Sequence, residues 1–400
     1  MRRVLLWLLA GLAGSVSAHA ATPTPLEHGE YLTRAADCAA CHSAPGHAAW
    51  TGGRAFTLPF GTLYSANITP DRETGIGAYT DDEWVEMLHH GIGRGGRHLY
   101  PAMPYNSYTL MSRDDALAIK RYLFSLPPVQ ALPPPNRMNF PFDQRWLMIG
   151  WNLINNPDHR FRPAQDKSAA WNRGAYLVDA LGHCGQCHTP RTLTQGLSDR
   201  QFAGAKQAGW VAYNLTSDKD HGLGGWSDAD LVQYLHEGQA PGHGPASGPM
   251  AEAVQNSLRY LSDADLHAIV AYLRDVPART EGAAAVPAAP VADAGGEDAL
   301  GARIFAEACA GCHLTDGSGR QSAWAALGGD HSAGDPAGTN LVQVLLHGSE
   351  LQTTQGLMFM HGFTGAYTHQ ELAALSNYVI RHFSGRAGTV TAADFAPVGK

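Results

Sequence analysis

The chain has 400 residues, 44% of them hydrophobic and 16% charged, and a formal charge of −8. This is the composition of a globular protein of two to four domains rather than of a disordered chain. The acidic excess argues against nucleic-acid binding and against a simple electrostatic grip on anionic lipid.

Residues 1–20 have the three parts of a secretory signal: a basic start at Arg2 and Arg3, an apolar run from Val4 to Leu12, and the small-x-small site Ala18-His19-Ala20. The run is too short to span a bilayer, which takes about 20 apolar residues. Cleavage after Ala20 is therefore expected, with the mature protein exported to the periplasm. Removing two arginines from 28 basic residues, against 36 acidic ones, leaves a charge of −10.

All six cysteines fall into one repeated pattern: Cys38-Ala-Ala-Cys41-His42, Cys184-Gly-Gln-Cys187-His188 and Cys309-Ala-Gly-Cys312-His313. C-x-x-C-H is the attachment signature of haem c. Two residues between thiols on a helical turn set them to add across the two haem vinyl groups, and the following His is delivered under the ring. Disulfides would explain neither the fixed spacing nor the recurring His. Zinc would not need that His. A thioredoxin-like pair would need a βαβ context. The expectation is three covalently bound haem c groups, each with iron.

The repeats extend beyond the motifs. Gly29, Gly174 and Gly301 each open an apolar segment that reads as a short helix running into the motif. Downstream, Asn67-Ile-Thr-Pro-Asp matches Asn214-Leu-Thr-Ser-Asp, and both read as structural turns rather than glycosylation sites. Thr80-x-x-Glu83 and Ser227-x-x-Asp230 mark helix starts, with left-handed C-caps expected at Gly91, Gly238 and Gly348. His89 and His236, near these ends, read as structural. Closing helices are expected over 115–126, 263–273 and 370–382, with Tyr122, Tyr272 and Tyr378 at their centres. Glycine on the opening helix lets the two backbones cross closely.

A methionine on the distal side would raise the potential of the iron and suit electron transfer. Met103 lies 61 residues after His42 and Met250 lies 62 after His188. The third repeat offers Met360, with Met358 and His361 as rivals. The expected metal ligands are thus His42, Met103, His188, Met250, His313 and Met360, with both axial positions filled and no catalytic residue.

The fold class is mostly α, with three tandem class I cytochrome c-like haem domains at 21–135, 171–280 and 298–385. The expected boundaries also include an inter-domain segment at 136–170, an Ala/Pro/Gly linker at 281–297 and a polar C-terminal tail at 386–400. Within the segment from Asn139 to Trp171, the apolar and aromatic run from Phe140 to Ile154 reads as a packed inter-domain helix, with a docking surface for a partner or membrane as the alternative.

With Tyr100-Pro-Ala-Met-Pro-Tyr, Phe142-Asp-Gln-Arg-Trp-Leu, Gly182-His-Cys-Gly-Gln-Cys-His-Thr-Pro-Arg191 and Gly224-Gly-Trp-Ser-Asp added to the three motifs, nearly the whole mature chain resembles a known family. It is similar to the membrane-associated trihaem cytochrome c subunits of bacterial alcohol, aldehyde, gluconate and sorbitol dehydrogenases. The resemblance implies an electron-transfer subunit rather than the substrate-oxidising one. It implies a partner catalytic subunit with flavin or pyrroloquinoline quinone, delivery of electrons to ubiquinone, and peripheral association with the inner membrane. Similar subunits serve molybdenum hydroxylases, and a free-standing carrier to a terminal oxidase is a further alternative. The sequence departs from the family at Asn155-Asn156, in the polar C-terminus and in its third repeat.

Overall fold

The computed structural model describes residues 23–280, 296–320, 322–354 and 356–396. The expected signal segment and most of the Ala/Pro/Gly linker lie outside them. The chain is mostly α, and the strands among the described residues form four short antiparallel hairpins and one three-stranded antiparallel sheet, in which Arg137–Met138 joins the hairpin of Ala55–Leu58 and Gly61–Tyr64.

In the first repeat, α1 (Pro25–Ala35) starts on a complete capping box at Thr24 and Glu27. It leads into a short turn, α2 (Cys38–His42). Next come α3 (Asp81–His90), the single turn α4 (Tyr105–Tyr108), and α5 (Arg113–Ser125). After α6 (Leu147–Asn155), the second repeat runs through α7 (Ala169–Ala175), α8 (Gly185–His188), α9 (Asp228–Glu237), α10 (Gly248–Asn256) and α11 (Asp263–Leu273). The third has α12 (Gly296–Ile304), α13 (Ala310–His313), α14 (His331–Gly334), α15 (Thr339–His347) and α16 (His369–Ser384).

One packing device recurs three times. Gly29 of α1 faces Ala118 and Tyr122 of α5. Gly174 of α7 faces Ala268 and Tyr272 of α11, and Gly301 of α12 faces Ala374 and Tyr378 of α16. At each crossing a Cβ on the glycine would overlap the alanine carbonyl oxygen, so only glycine lets the helices approach this closely. The first residues of each attachment motif follow directly from this crossing.

The Asn-x-Thr triplets are buried turns. Asn67 accepts from the Thr69 amide at 2.9 Å and donates to the Val129 carbonyl at 2.8 Å. Asn214 does the same with Thr216 at 2.7 Å and Arg279 at 2.6 Å. Each side chain ties its loop to the segment leaving the closing helix. Gly91 and Gly238 end α3 and α9 in the left-handed region. Gly348 differs: its φ is 78° but its ψ is −174°, so it leads straight into a strand while its amide still bonds Val344.

The first two repeats share one apolar core, holding Leu32, Trp84 and Ile119 together with Val178, Leu181 and Leu266. They meet as a near two-fold pair. The Tyr31 hydroxyl donates to Asp265 at 2.7 Å and accepts from the Ser262 amide. Reciprocally, the Tyr176 hydroxyl donates to Asp115 at 2.5 Å and accepts from the Ser112 amide. Each tyrosine therefore caps the closing helix of the other repeat, the geometry of an isologous interface. The third repeat has its own core around Ile304, Phe305, Leu372 and Ile380. It joins the second through Asn340, whose amide side chain pairs with both backbone groups of Val211 at 2.7 and 3.0 Å.

Two expectations change. α6 has no buried residue. One of its faces bridges the first two repeats, with Asn152 held by Tyr105 and His90 and Trp151 bonded to Thr194. The other face shows Trp146, Ile149, Leu153 and Ile154 to solvent, and Leu153 is 83% exposed. It is thus a strap with an open apolar side rather than a packed helix. The C-terminal residues are also not a free tail as far as they are described. Val390 and Phe395 are buried in the third core, and the Val390 backbone pairs with Asn377. The third unit continues at least to Phe395, past the expected boundary at 385.

Candidate haem attachment sites

In each motif the cysteine pair and the histidine lie on one helical turn: α2, the turn from Cys184 through α8, and the turn from Cys309 through α13. The backbone is bent sharply just before two of them, with positive φ at Asp37 (51°) and His183 (40°). Before the second and third turns the helix widens to π geometry over Tyr176–Leu181 and Phe305–Cys309. Such widened turns cluster at functional sites.

The histidines share one arrangement. His42 Nδ1 lies 2.7 Å from the Ala66 carbonyl oxygen, His188 Nδ1 lies 2.6 Å from that of Tyr213, and His313 Nδ1 lies 2.7 Å from that of Ala325. A carbonyl can only accept, so Nδ1 carries the proton in all three and Nε2 is left with a lone pair. Burial lowers the pKa of each ring below its ordinary value and favours the neutral form. A neutral imidazole oriented through Nδ1–H is the state in which histidine binds a metal.

None of the six cysteines is in a disulfide. Burial pushes the thiols of Cys38, Cys41 and Cys184 up to about 12 and that of Cys309 to about 11, so they stay uncharged at neutral pH. This suits a thioether better than a thiolate–metal bond. Among the described residues, no group of three or more His, Cys, Asp or Glu side chains is placed to hold a metal ion. The residues therefore fit haem c, with the two sulfurs as covalent anchors and Nε2 as an axial donor. The first two turns are neighbours: Cys187 lies within electrostatic reach of Cys41, and Asp37 within that of Cys184 and Cys187.

Met103 precedes α4 and packs on the core shared by the first two repeats, as does Cys38. Met250 lies in the first turn of α10 and packs on the small cluster of Ala246, Ala251, Val254 and Leu351. Met360 closes the hairpin of Ser349–Thr353 with Gly356–Met360 and packs on the third core, which contains Cys309. It also lines a surface pocket of about 440 Å³ with His347 and His361. Met358 instead pairs across the hairpin with Leu351, which is buried against the second repeat.

His89 is buried, and burial lowers its pKa to about 4, while His236 bonds its neighbour Glu237. The sequence reading missed three arginines. Arg54 donates to the Ala40 carbonyl at 2.7 Å, Arg191 to that of Gln186 at 2.6 Å, and Arg320 to that of Gly311 at 2.5 Å. Each of these carbonyls belongs to the residue just before the second cysteine. The arginines stand 13, 4 and 8 residues after that cysteine, so no common spacing announces them.

A mostly α scaffold that presents paired cysteines beside a histidine oriented through Nδ1–H is that of a c-type cytochrome. The cytochrome c family model matches residues 172–277 and 299–381. The fructose dehydrogenase cytochrome subunit of Gluconobacter japonicus is 37% identical, over 96% of this chain and 86% of its own. The gluconate 2-dehydrogenase cytochrome c subunit of Pantoea cypripedii is 36% identical, over 100% and 95%. A nicotinate dehydrogenase subunit of Pseudomonas putida is 39% identical over 90% of this chain, and the match spans 30% of that protein. The chain belongs to the cytochrome c family, among the cytochrome c subunits of dehydrogenase complexes, and its task is electron transfer.

Proposed function

We propose that the chain holds three haem c groups and relays electrons from the catalytic subunit of a periplasmic dehydrogenase to ubiquinone in the inner membrane. The observation that carries this reading is the threefold Nδ1–H to carbonyl bond, which leaves an Nε2 donor free beside each cysteine pair. Cys38 and Cys41, Cys184 and Cys187, and Cys309 and Cys312 form the thioethers. His42, His188 and His313, with Met103, Met250 and Met360, would hold the three irons. When bound, haem c supplies a one-electron iron couple, and an axial methionine holds its potential high.

The chain's own residues keep the first two sites close. Gln186, between the second pair of cysteines, donates to Ser107 at 2.8 Å and Asn106 at 3.0 Å, just beyond Met103. Arg54, bonded to the first turn at Ala40, pairs with Glu252 at 2.8 Å, two residues beyond Met250. Since the second repeat touches both others, it is the middle of the relay. The third turn exposes both Gly311 and Cys312, whereas the second exposes Cys187 but buries Gln186, which favours exchange with an outside partner at the third end. The open face of α6 suits peripheral contact with the membrane.

The test is to isolate the protein from its own membranes in mild detergent. Fructose, gluconate, alcohols, aldehydes and nicotinate are then supplied while the haem α-band is followed. A substrate that reduces the haems, together with a copurifying larger subunit, supports the proposal and names the donor. Reduction by nicotinate alone favours a hydroxylase partner, the reading suggested by the match to the Pseudomonas putida nicotinate dehydrogenase. A protein that elutes alone and answers to none of these contradicts the complex and favours a free carrier.

A further inference from the structure

Apart from the tie of Arg54 to Glu252, the three arginines have no role in the relay described so far, yet they repeat as faithfully as the histidines. Each guanidinium bonds the backbone two residues before the histidine that faces the iron, in all three turns. Their charge balance differs. Arg54 is paired with Glu252 at 2.8 Å. Arg191 and Arg320 have no ion-pair partner among the described residues; Arg191 is instead bonded to Gln186 and Gln195. Asp37 lies near Arg54, and burial raises its carboxyl above the ordinary carboxylate range.

A fixed positive charge beside a haem disfavours the ferric state, which carries one more positive charge than the ferrous, and so raises the potential. The effect is larger where water is excluded. An acid partner offsets it. We propose that Arg54, Arg191 and Arg320 are positioning residues that set the reduction potentials of the three groups. Glu252 offsets Arg54, so the first group is held below the potential its arginine alone would give. Because Glu252 lies on α10, the helix that carries Met250, the offset comes from the second repeat: assembly of the first two repeats and the potential of the first group are one device.

This inference rests on the three-haem reading. It is tested by spectroelectrochemical titration of the purified, haem-loaded chain and its variants, with the haem content of every sample counted by intact mass. Glu252→Gln is expected to raise one of the three potentials, and Arg54→Gln to lower that same one. Arg191→Gln and Arg320→Gln are each expected to lower a different one. Arg191→Lys, which keeps the charge but loses the fork, should shift its group less than Arg191→Gln. The inference is overturned if Glu252→Gln leaves all three potentials in place or lowers one, since a merely structural contact would not raise a potential when broken. Fewer than three haem masses in the unaltered protein would instead sink the three-haem reading, a result distinct from unmoved potentials in a fully loaded chain.

Discussion

A hydrogen bond from Nδ1 to a carbonyl does two things for a ligating histidine: it chooses the tautomer and it fixes the plane of the ring. Here the sequence supplies the histidine, while the acceptor comes from a loop 24, 25 or 12 residues further on. The same scale separates Met360 from Met358. Alternation along the strand puts both on one face, but only Met360 reaches the third core. Met360→His is therefore expected to lower one potential and leave two unchanged, because imidazole stabilises ferric iron more than a thioether does. Met358→Leu should leave all three where they are. A redox titration reads both, and three unmoved potentials in Met360→His would mean another ligand in that repeat. The cysteines and histidines could be nominated from a fixed local pattern and Met103 and Met250 from matching distances to it, whereas Met360 had no such spacing to separate it from Met358 and His361. The arginines could not be nominated, since a side chain reaching back through space is under no such constraint.

Among the elements, the glycine crossings carry the sharpest consequence. Gly174→Ala would drive a methyl group into the Ala268 carbonyl, and about 1–3 kcal/mol of destabilisation is expected from such overpacking, read as a lowered melting temperature. This crossing was legible, because a glycine opening one helix and an aromatic centring another recurred three times. The π-helical turns were not legible, for they arise from fitting the helix to the motif rather than from any residue that signals them.

At the junction of the second and third repeats, Asp330 caps α14 beneath Gly244. Burial raises its carboxyl from 3.8 to about 7. The folded state thus holds its proton more tightly than the unfolded one, so the stability this group allows is full below about pH 4 and is lost as the pH rises to about 7. Thermal melts at pH 5 and pH 8 should show the unaltered protein losing more stability than Asp330→Asn, which can cap the helix without ionising. An equal loss in both would rule out Asp330 as the source.

Over the whole molecule, the first two repeats form a pair and the third is an addition to it. Reciprocal tyrosine caps, a shared core and interlocked turns join the pair, whereas a few polar contacts and the Leu351 cluster hold the third. The pairing of the first two repeats was not readable from the chain, because Tyr31 and Tyr176 look like ordinary helix residues until their partners in the other repeat are known. The strap helix was misjudged for a related reason. An uncharged apolar helix is usually buried, but Leu147–Asn155 has only one face covered by this chain. Replacing Ile149 and Leu153 with serine should change stability little, within about 0.5 kcal/mol for exposed positions, while reducing the fraction of protein recovered with membranes. Unchanged recovery would show that this face does not make the membrane contact.

The most direct test of the account is the intact mass of the exported protein set beside its iron content. Three haem masses on a chain beginning after Ala20, with three irons per chain, is the result expected from three occupied turns. Two haem masses, or a free thiol pair detected at any of the three motifs, would contradict it.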